Sequence, residues 1–160
     1  MDKDGSPHLD FWNENGKSLV ALAAKSEGTG LVLFDENGKP RNSLSVGKDG
    51  SPGLGLSDKN GKPRIGLVVL KDGPDLSLFD ENGKPRVGLG VLKEGSGVGL
   101  LDENGKTLVG LETGEGGSGM LDVFNALGKK VVSVQANKKN CGSVIVSDQN
   151  GEIKHSLTAE

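Results

Sequence analysis

Apolar residues stand at every second position on either side of short polar turns along most of the chain. In one stretch, Leu31 and Leu33 precede a turn, and Leu44 and Val46 follow it. A period of two is typical of β-strands that have one apolar face. The alternation therefore predicts an all-β protein, and no stretch of the chain predicts a helix of any length.

The turns recur at a fixed interval of 22 or 23 residues. A constant period of this length is typical of tandem structural repeats. We interpret residues 1–160 as a single domain of seven tandem antiparallel β-hairpins. The turns lie at Asn15-Gly16, Asn37-Gly38, Asn60-Gly61, Asn82-Gly83, Asn104-Gly105, Leu127-Gly128 and Asn150-Gly151.

An Asn-Gly pair suits a two-residue type I′ turn, because both central residues of that turn need positive φ. Such a turn pairs Glu36 with Lys39 as a cross-strand charge pair. It also places the missing N–H of Pro40 on the side away from the hairpin partner, where no strand can be bonded. We therefore expect the tips of the hairpins to splay apart and project into solvent. The same register pairs Phe34 with Arg41, Leu33 with Asn42 and Leu31 with Leu44.

The turns at the base of the hairpins have two lengths. Pairing Leu44 with Leu54 leaves a three-residue loop with a glycine bulge, whereas a two-residue Asp-Gly loop pairs Val69 with Leu76. Both solutions keep leucine on one face of the sheet. We expect each change of length to be absorbed by a change of turn type, since a one-residue slip would reverse the faces.

The two faces predicted for the sheet differ in composition. Leu, Val and Ile fill one face, while small or polar residues such as Ser43, Gly55 and Gly88 fill the other. An apolar face of this size is unfavourable in water. Three shapes would bury it: a closed barrel or flower of hairpins, a folded-over meander, or a trimeric β-prism fibre. We take the closed barrel as the first expectation.

Units such as Leu31 to Arg41, followed by Leu44 to Gly53, resemble the repeats of uncharacterised bacterial tandem β-hairpin proteins of the β-flower type. The resemblance covers essentially the whole chain. It implies hairpins that radiate as petals around a shallow barrel, and a role in the envelope or in binding an apolar ligand. It carries over no catalytic residue.

Composition narrows the classes of protein further. The chain has 27 Gly, no Tyr and a net charge of −3, and its glycines do not fall at every third position as in collagen. No apolar stretch approaches about 18 residues, so we predict no transmembrane helix. No basic field predicts nucleic-acid binding. The partners that we expect are a second copy of the chain or an apolar ligand, in an extracellular or envelope setting.

Two groups of residues invite a metal interpretation. Asp35-Glu36-Asn37-Gly38 has the oxygens and the glycine of a calcium loop, but Lys39 and Arg41 follow at once and oppose a cation. We interpret it as a turn. His8 and His155 would be neighbours only if the chain ends met, and they lack a placed carboxylate or thiol.

Other candidates for chemistry are also better explained by structure. Cys141 has no visible base, and the glycines from Gly114 to Gly119 precede no helix that could help to hold a phosphate. Lys138 and Lys139 are too few for a nucleic-acid patch. We predict no catalytic, cofactor-binding or metal-binding residue. Aromatic residues near the hairpin tips could contact glycans or partners, although Phe34 could simply cover Arg41; they are Phe11, Trp12, Phe34 and Phe79.

The first functional hypothesis is a non-catalytic structural or binding module of the bacterial envelope or exterior that presents repeated hairpin tips. The second is a barrel that binds a hydrophobic, lipid-like ligand. The third is a shaft segment of a trimeric phage or surface fibre. We do not expect an enzyme, because the polar residues with fixed places in the repeat also have roles in turns.

Overall fold

The computed structural model describes residues 5–93, 95–113, 117–136 and 141–159. Over these ranges the chain forms fourteen β-strands and no helix, and therefore none that is long and apolar enough to span a membrane. The strands are β1 His8–Trp12, β2 Ser18–Lys25, β3 Gly28–Phe34, β4 Pro40–Gly47, β5 Pro52–Ser57, β6 Pro63–Leu70, β7 Gly73–Phe79, β8 Pro85–Leu92, β9 Gly95–Leu101, β10 Thr107–Thr113, β11 Gly119–Phe124, β12 Lys130–Ala136, β13 Gly142–Ser147 and β14 Ile153–Thr158.

The strands form one antiparallel sheet in which their order follows the chain. The predictions of an all-β protein and of tandem hairpins are confirmed. The prediction of a closed barrel or flower is wrong, because β1 and β14 are the two edges of the sheet and do not pair with each other. Closure of a sheet needs that last pairing, which no turn between sequence neighbours can supply.

The chain divides into two compact units, Met1–Gly83 and Lys84–Glu160. Strands β1–β7 belong to the first unit and β8–β14 to the second. In each unit, apolar residues lie directly opposite one another on successive strands and form what we call a leucine row. The row of the first unit is Leu9, Leu22, Leu31, Leu44, Leu54, Leu67 and Leu76, and that of the second is Leu89, Val98, Leu111, Leu121, Val134, Val144 and Leu157.

The turns at the hairpin tips are longer than the predicted type I′ turns. The N–H of Gly38 donates to the Asp35 carbonyl, and the N–H of Asp35 donates to the Lys39 carbonyl, both at 2.9 Å. Gly38 has a φ of 77°, as expected for a turn that ends in a glycine bulge. The Asp35 carboxylate selects this turn, because its Oδ1 accepts hydrogen bonds from the N–H groups of Asn37 and Lys39.

The longer turn changes the register only next to the tip. Phe34 lies opposite Pro40 and not Arg41, and the predicted pairing of Glu36 with Lys39 is wrong because Glu36 lies within the turn. A bulge between Leu33 and Phe34 then restores the predicted register. The predicted pairs Leu33 with Asn42 and Leu31 with Leu44 are confirmed.

The base turns bear out one prediction and correct another. Leu44 pairs with Leu54, as predicted. Leu67, and not Val69, pairs with Leu76, so the predicted register of the shorter turn is wrong by two residues. A shift of two residues leaves the faces unchanged, because side chains alternate with a period of two.

Candidate functional site

The most prominent surface of each unit is the face that carries its leucine row, which we call the leucine face. No apolar side chain is buried among the described residues, and Leu44 and Leu111 are 56% and 53% exposed. A single-layer sheet can bury a face only against a second layer. The closed barrel that was expected to bury the leucine stripe is not formed, and most residues of the leucine rows are exposed. The large exposed apolar residues all lie on the leucine faces except Trp12, Leu70, Leu127 and Ile153.

The opposite face carries small residues. In the first unit Ser43, Gly55 and Gly66 lie directly opposite one another, and in the second unit Gly88 and Gly99 do the same. A methyl group added at Gly88 or Gly99 would meet no atom within 4 Å. At those two positions an added side chain would therefore have room.

The leucine face of the second unit contains an open groove of about 640 Å³. Its volume lies within the range of small-molecule sites, about 300–1,000 Å³. Its walls are mainly aliphatic, and Thr113 supplies a hydroxyl group. The aliphatic residues of the leucine row that line it are Leu89, Val98, Leu111, Leu121 and Val134.

An ion pair between the buried Asp122 and the exposed Lys130 lies on the small-residue face of the second unit. Asp122 is 4% exposed, and its Oδ2 lies 2.5 Å from Nζ of Lys130. Its Oδ1 has no hydrogen-bond partner. Ser133, directly opposite on β12, is also buried, and the Lys130 ammonium lies 6.0 Å from the centre of the Phe124 ring. The sequence analysis did not single out Asp122. A carboxylate directly opposite Gly110, on the face that elsewhere carries small residues, is the signal that could have identified it.

The hairpin tips do not splay apart as predicted. Within each unit, lysine side chains donate to backbone carbonyls of the following tip. Arg41 likewise contacts the Asp35 carboxylate and the backbone carbonyls of Asp58 and Lys59. The ammonium-to-carbonyl distances are 2.6 Å for Lys62 to Glu81, 2.7 Å for Lys84 to Glu103 and 2.9 Å for Lys106 to Ala126.

The tip carboxylates are acceptors for their own turns. At Asp35 the N–H of Lys39, with help from the Arg41 side chain, lowers the pKa from its ordinary value of 3.8. At Asp58 burial opposes the effect, but hydrogen bonds from Lys62 and Asn60 still leave the pKa lowered. The Oδ1 of each of these aspartates accepts hydrogen bonds from two backbone N–H groups of its own turn. Among the described residues no three His, Cys, Asp or Glu form a group that could hold a metal ion.

These shifts predict a loss of stability in acid. A lowered pKa in the folded state contributes stability above the unfolded pKa, and this is lost as the pH falls through the folded value. We expect the urea concentration at the midpoint of unfolding to be constant between about pH 7 and 5 and to decrease below about pH 4. Replacing Asp35, Asp58, Asp102 and Asp148 together with Asn should flatten this fall, because Asn13 and Asn125 already form the same turn. An equally steep fall in that variant would contradict the assignment.

The two candidate histidines belong to different units. Nε2 of His8 lies 3.7 Å from the Asp10 carboxylate in the first unit, and His155 lies opposite Val146 in the second. Cys141 is partly buried. Phe11 and Trp12 are exposed, and the Phe79 ring lies over Gly66.

Two of the sequence interpretations concern residues that the structure does not describe. The glycine-rich stretch from Gly114 to Gly119 is described only from residue 117 onward. Lys138 and Lys139 also lie outside the described residues. The interpretations of these positions therefore stay predictions.

Comparison of the sequence with models of known protein families gives no match, and no curated protein matches it either. The resemblance to β-flower-type hairpin repeats thus stays a prediction.

Proposed function

We propose that this chain is a non-catalytic structural or binding module that works through its leucine faces. The observation that carries the proposal is the in-register row of exposed or half-buried Leu and Val on each unit, with no buried apolar side chain among the described residues. Burying one leucine fully contributes about 2 kcal/mol, whereas ordering one residue costs about 1–2 kcal/mol in backbone entropy. A sheet that leaves its apolar face in water lacks the apolar burial that normally offsets the loss of backbone entropy.

The polar side chains support a structural role. The tip aspartates accept hydrogen bonds from their own turns, and lysines such as Lys62 and Lys106 donate to the backbone of the next tip. These groups hold hairpins side by side within each unit. They serve the sheet and leave the leucine face as the surface that is free to bind. The resemblance adds the expectation of an envelope or exterior setting.

Native mass spectrometry and light scattering of the purified chain test this proposal. We expect either a mass greater than one chain or a retained apolar molecule, because each would cover a leucine face. A single, well-folded chain that carries nothing and binds no apolar dye would overturn the proposal.

The groove of the second unit favours a second candidate function, the binding of a small apolar ligand. Its aliphatic walls suit a hydrocarbon chain. A retained apolar molecule that is lost in Val98→Asn, and kept in Leu54→Asn in the other unit, would support this function.

A further inference from the structure

We infer that the leucine face of the first unit is covered by the same face of a second copy of this chain, so that two sheets pack face to face. This inference rests on the proposed function and names the partner. The face consists of the leucine row of the first unit and the residues two positions before and after each member of that row. Apart from its leucines, its larger apolar residues are Phe11, Val20, Val46, Ile65 and Val69.

The area of the face is sufficient for a stable pair. Seven strands at about 4.8 Å spacing and about five residues at about 3.4 Å rise give a footprint of roughly 34 by 17 Å. This is about 580 Å² on each copy, or nearly 1,200 Å² for two copies, compared with the minimum of about 1,000 Å² in total that specific protein interfaces bury. One unit of each chain is therefore enough.

The row is also complementary to itself. Leu22, Leu31, Leu44, Leu54 and Leu67 lie opposite one another on five successive strands, so their side chains repeat at the strand spacing. A second copy turned over by a two-fold axis presents the same repeat, and leucines of one row can enter the gaps of the other. Sheets that pack in this way lie about 10 Å apart with strands within about 30° of each other.

Charge favours a second copy over a membrane surface. The described strand positions of this face carry no Lys, Arg, Asp or Glu, and the whole chain has a net charge of −3. Proteins that lie on membranes combine apolar residues with Lys and Arg that attract anionic lipids. The face lacks that attraction, whereas an uncharged aliphatic face imposes no repulsion on an identical partner.

Pyrene labelling of single cysteines tests the pairing in the full chain. Cys141→Ser removes the native thiol, and Leu44→Cys then places a label at the middle of the row on β4. Ser45→Cys is the matched control, because Ser45 is the next residue and is also exposed but lies on the opposite face. We expect twice the chain mass for both proteins, with excimer fluorescence from the label at position 44 and none at position 45.

A second variant tests the pairing without a label at the interface. Leu44→Ser with Leu67→Ser should weaken association about 100-fold and yield a single chain at low micromolar concentration. Equal excimer signals at positions 44 and 45, or a mass of three chains, would overturn the face-to-face pair. A folded single chain that binds an apolar dye would overturn the pair and leave the proposed function standing. A folded single chain that binds no dye would overturn both.

Discussion

Replacing Lys130 with Met is expected to lower the free energy of unfolding by about 3 kcal/mol. The substitution keeps most of the apolar stem and removes the ammonium that lies 2.5 Å from the buried Asp122 carboxylate. Because Oδ1 of Asp122 already lacks a hydrogen-bond partner, the variant would hold an uncompensated charge in a buried position. Breaking such a pair from one side costs about 3–5 kcal/mol, and the partial exposure of Lys130 places the expectation at the lower end. Urea unfolding at a fixed protein concentration measures the change.

Two further variants show whether the loss comes from the buried charge. Asp122→Ser combined with Lys130→Met should recover most of the stability, since the new hydroxyl lies opposite that of Ser133 and no charge is left buried. Lys154→Met should have a much smaller effect, because its partner Asp148 lies at a tip turn where water can replace the ammonium. Equal losses for Lys130→Met and the double variant would count against a charge effect.

Replacing Gly28 with Ala is expected to destabilise the first unit by at least about 3 kcal/mol. Gly28 has a φ of 141°, which side-chain-bearing residues rarely adopt, and an added Cβ would overlap the carbonyl oxygen of Val46. Backbone strain at such positions costs about 1–3 kcal/mol, and the overlap adds to it because a carbonyl in the sheet cannot move independently. The urea midpoint of the variant and its amide exchange in β3 and β4 measure the effect.

Gly99→Ala is the matched control for this substitution. Gly99 also lies in a strand, but it has no positive φ and an added Cβ would meet no atom within 4 Å. We expect a change of less than about 1 kcal/mol, with a small gain if the loss of freedom in the unfolded chain dominates. Similar losses at Gly28 and Gly99 would show that the backbone conformation at Gly28 does not control the stability of β3 and β4.

The hairpin tips show which features of a turn can be predicted from neighbouring residues alone. The Asn-Gly pairs located the tips correctly, but they predicted the wrong turn because the aspartate two residues before the Asn was given no role. Asp35 and Asp58 each accept two backbone N–H groups, which favours the longer turn over type I′. The tip at Leu127 needs no Asn for the same reason, since Asn125 supplies the acceptor and Gly128 the positive φ.

The candidate site likewise has one part that the sequence predicts and another that it does not. The leucine row could be predicted from the period of two, because residues such as Leu31, Leu44 and Leu54 stay on the same face of the sheet through every turn. The pair of Asp122 and Lys130 could not, because the bulge beside Phe124 that brings Lys130 into place depends on the turn geometry. The contacts between successive tips were missed because they join residues that are far apart in the sequence, such as Lys62 and Glu81.

The sequence by itself determined the strands, the hairpins and which side chains share a face, since all three follow from local alternation and from turns between neighbours. Only the tertiary structure decided that the sheet stays open, that its tips are joined within each unit and that the leucine faces are left exposed. The physical reason is that the alternation of side chains is a property of each strand, whereas closure and burial depend on which distant surfaces meet. Many such arrangements satisfy the same alternating pattern.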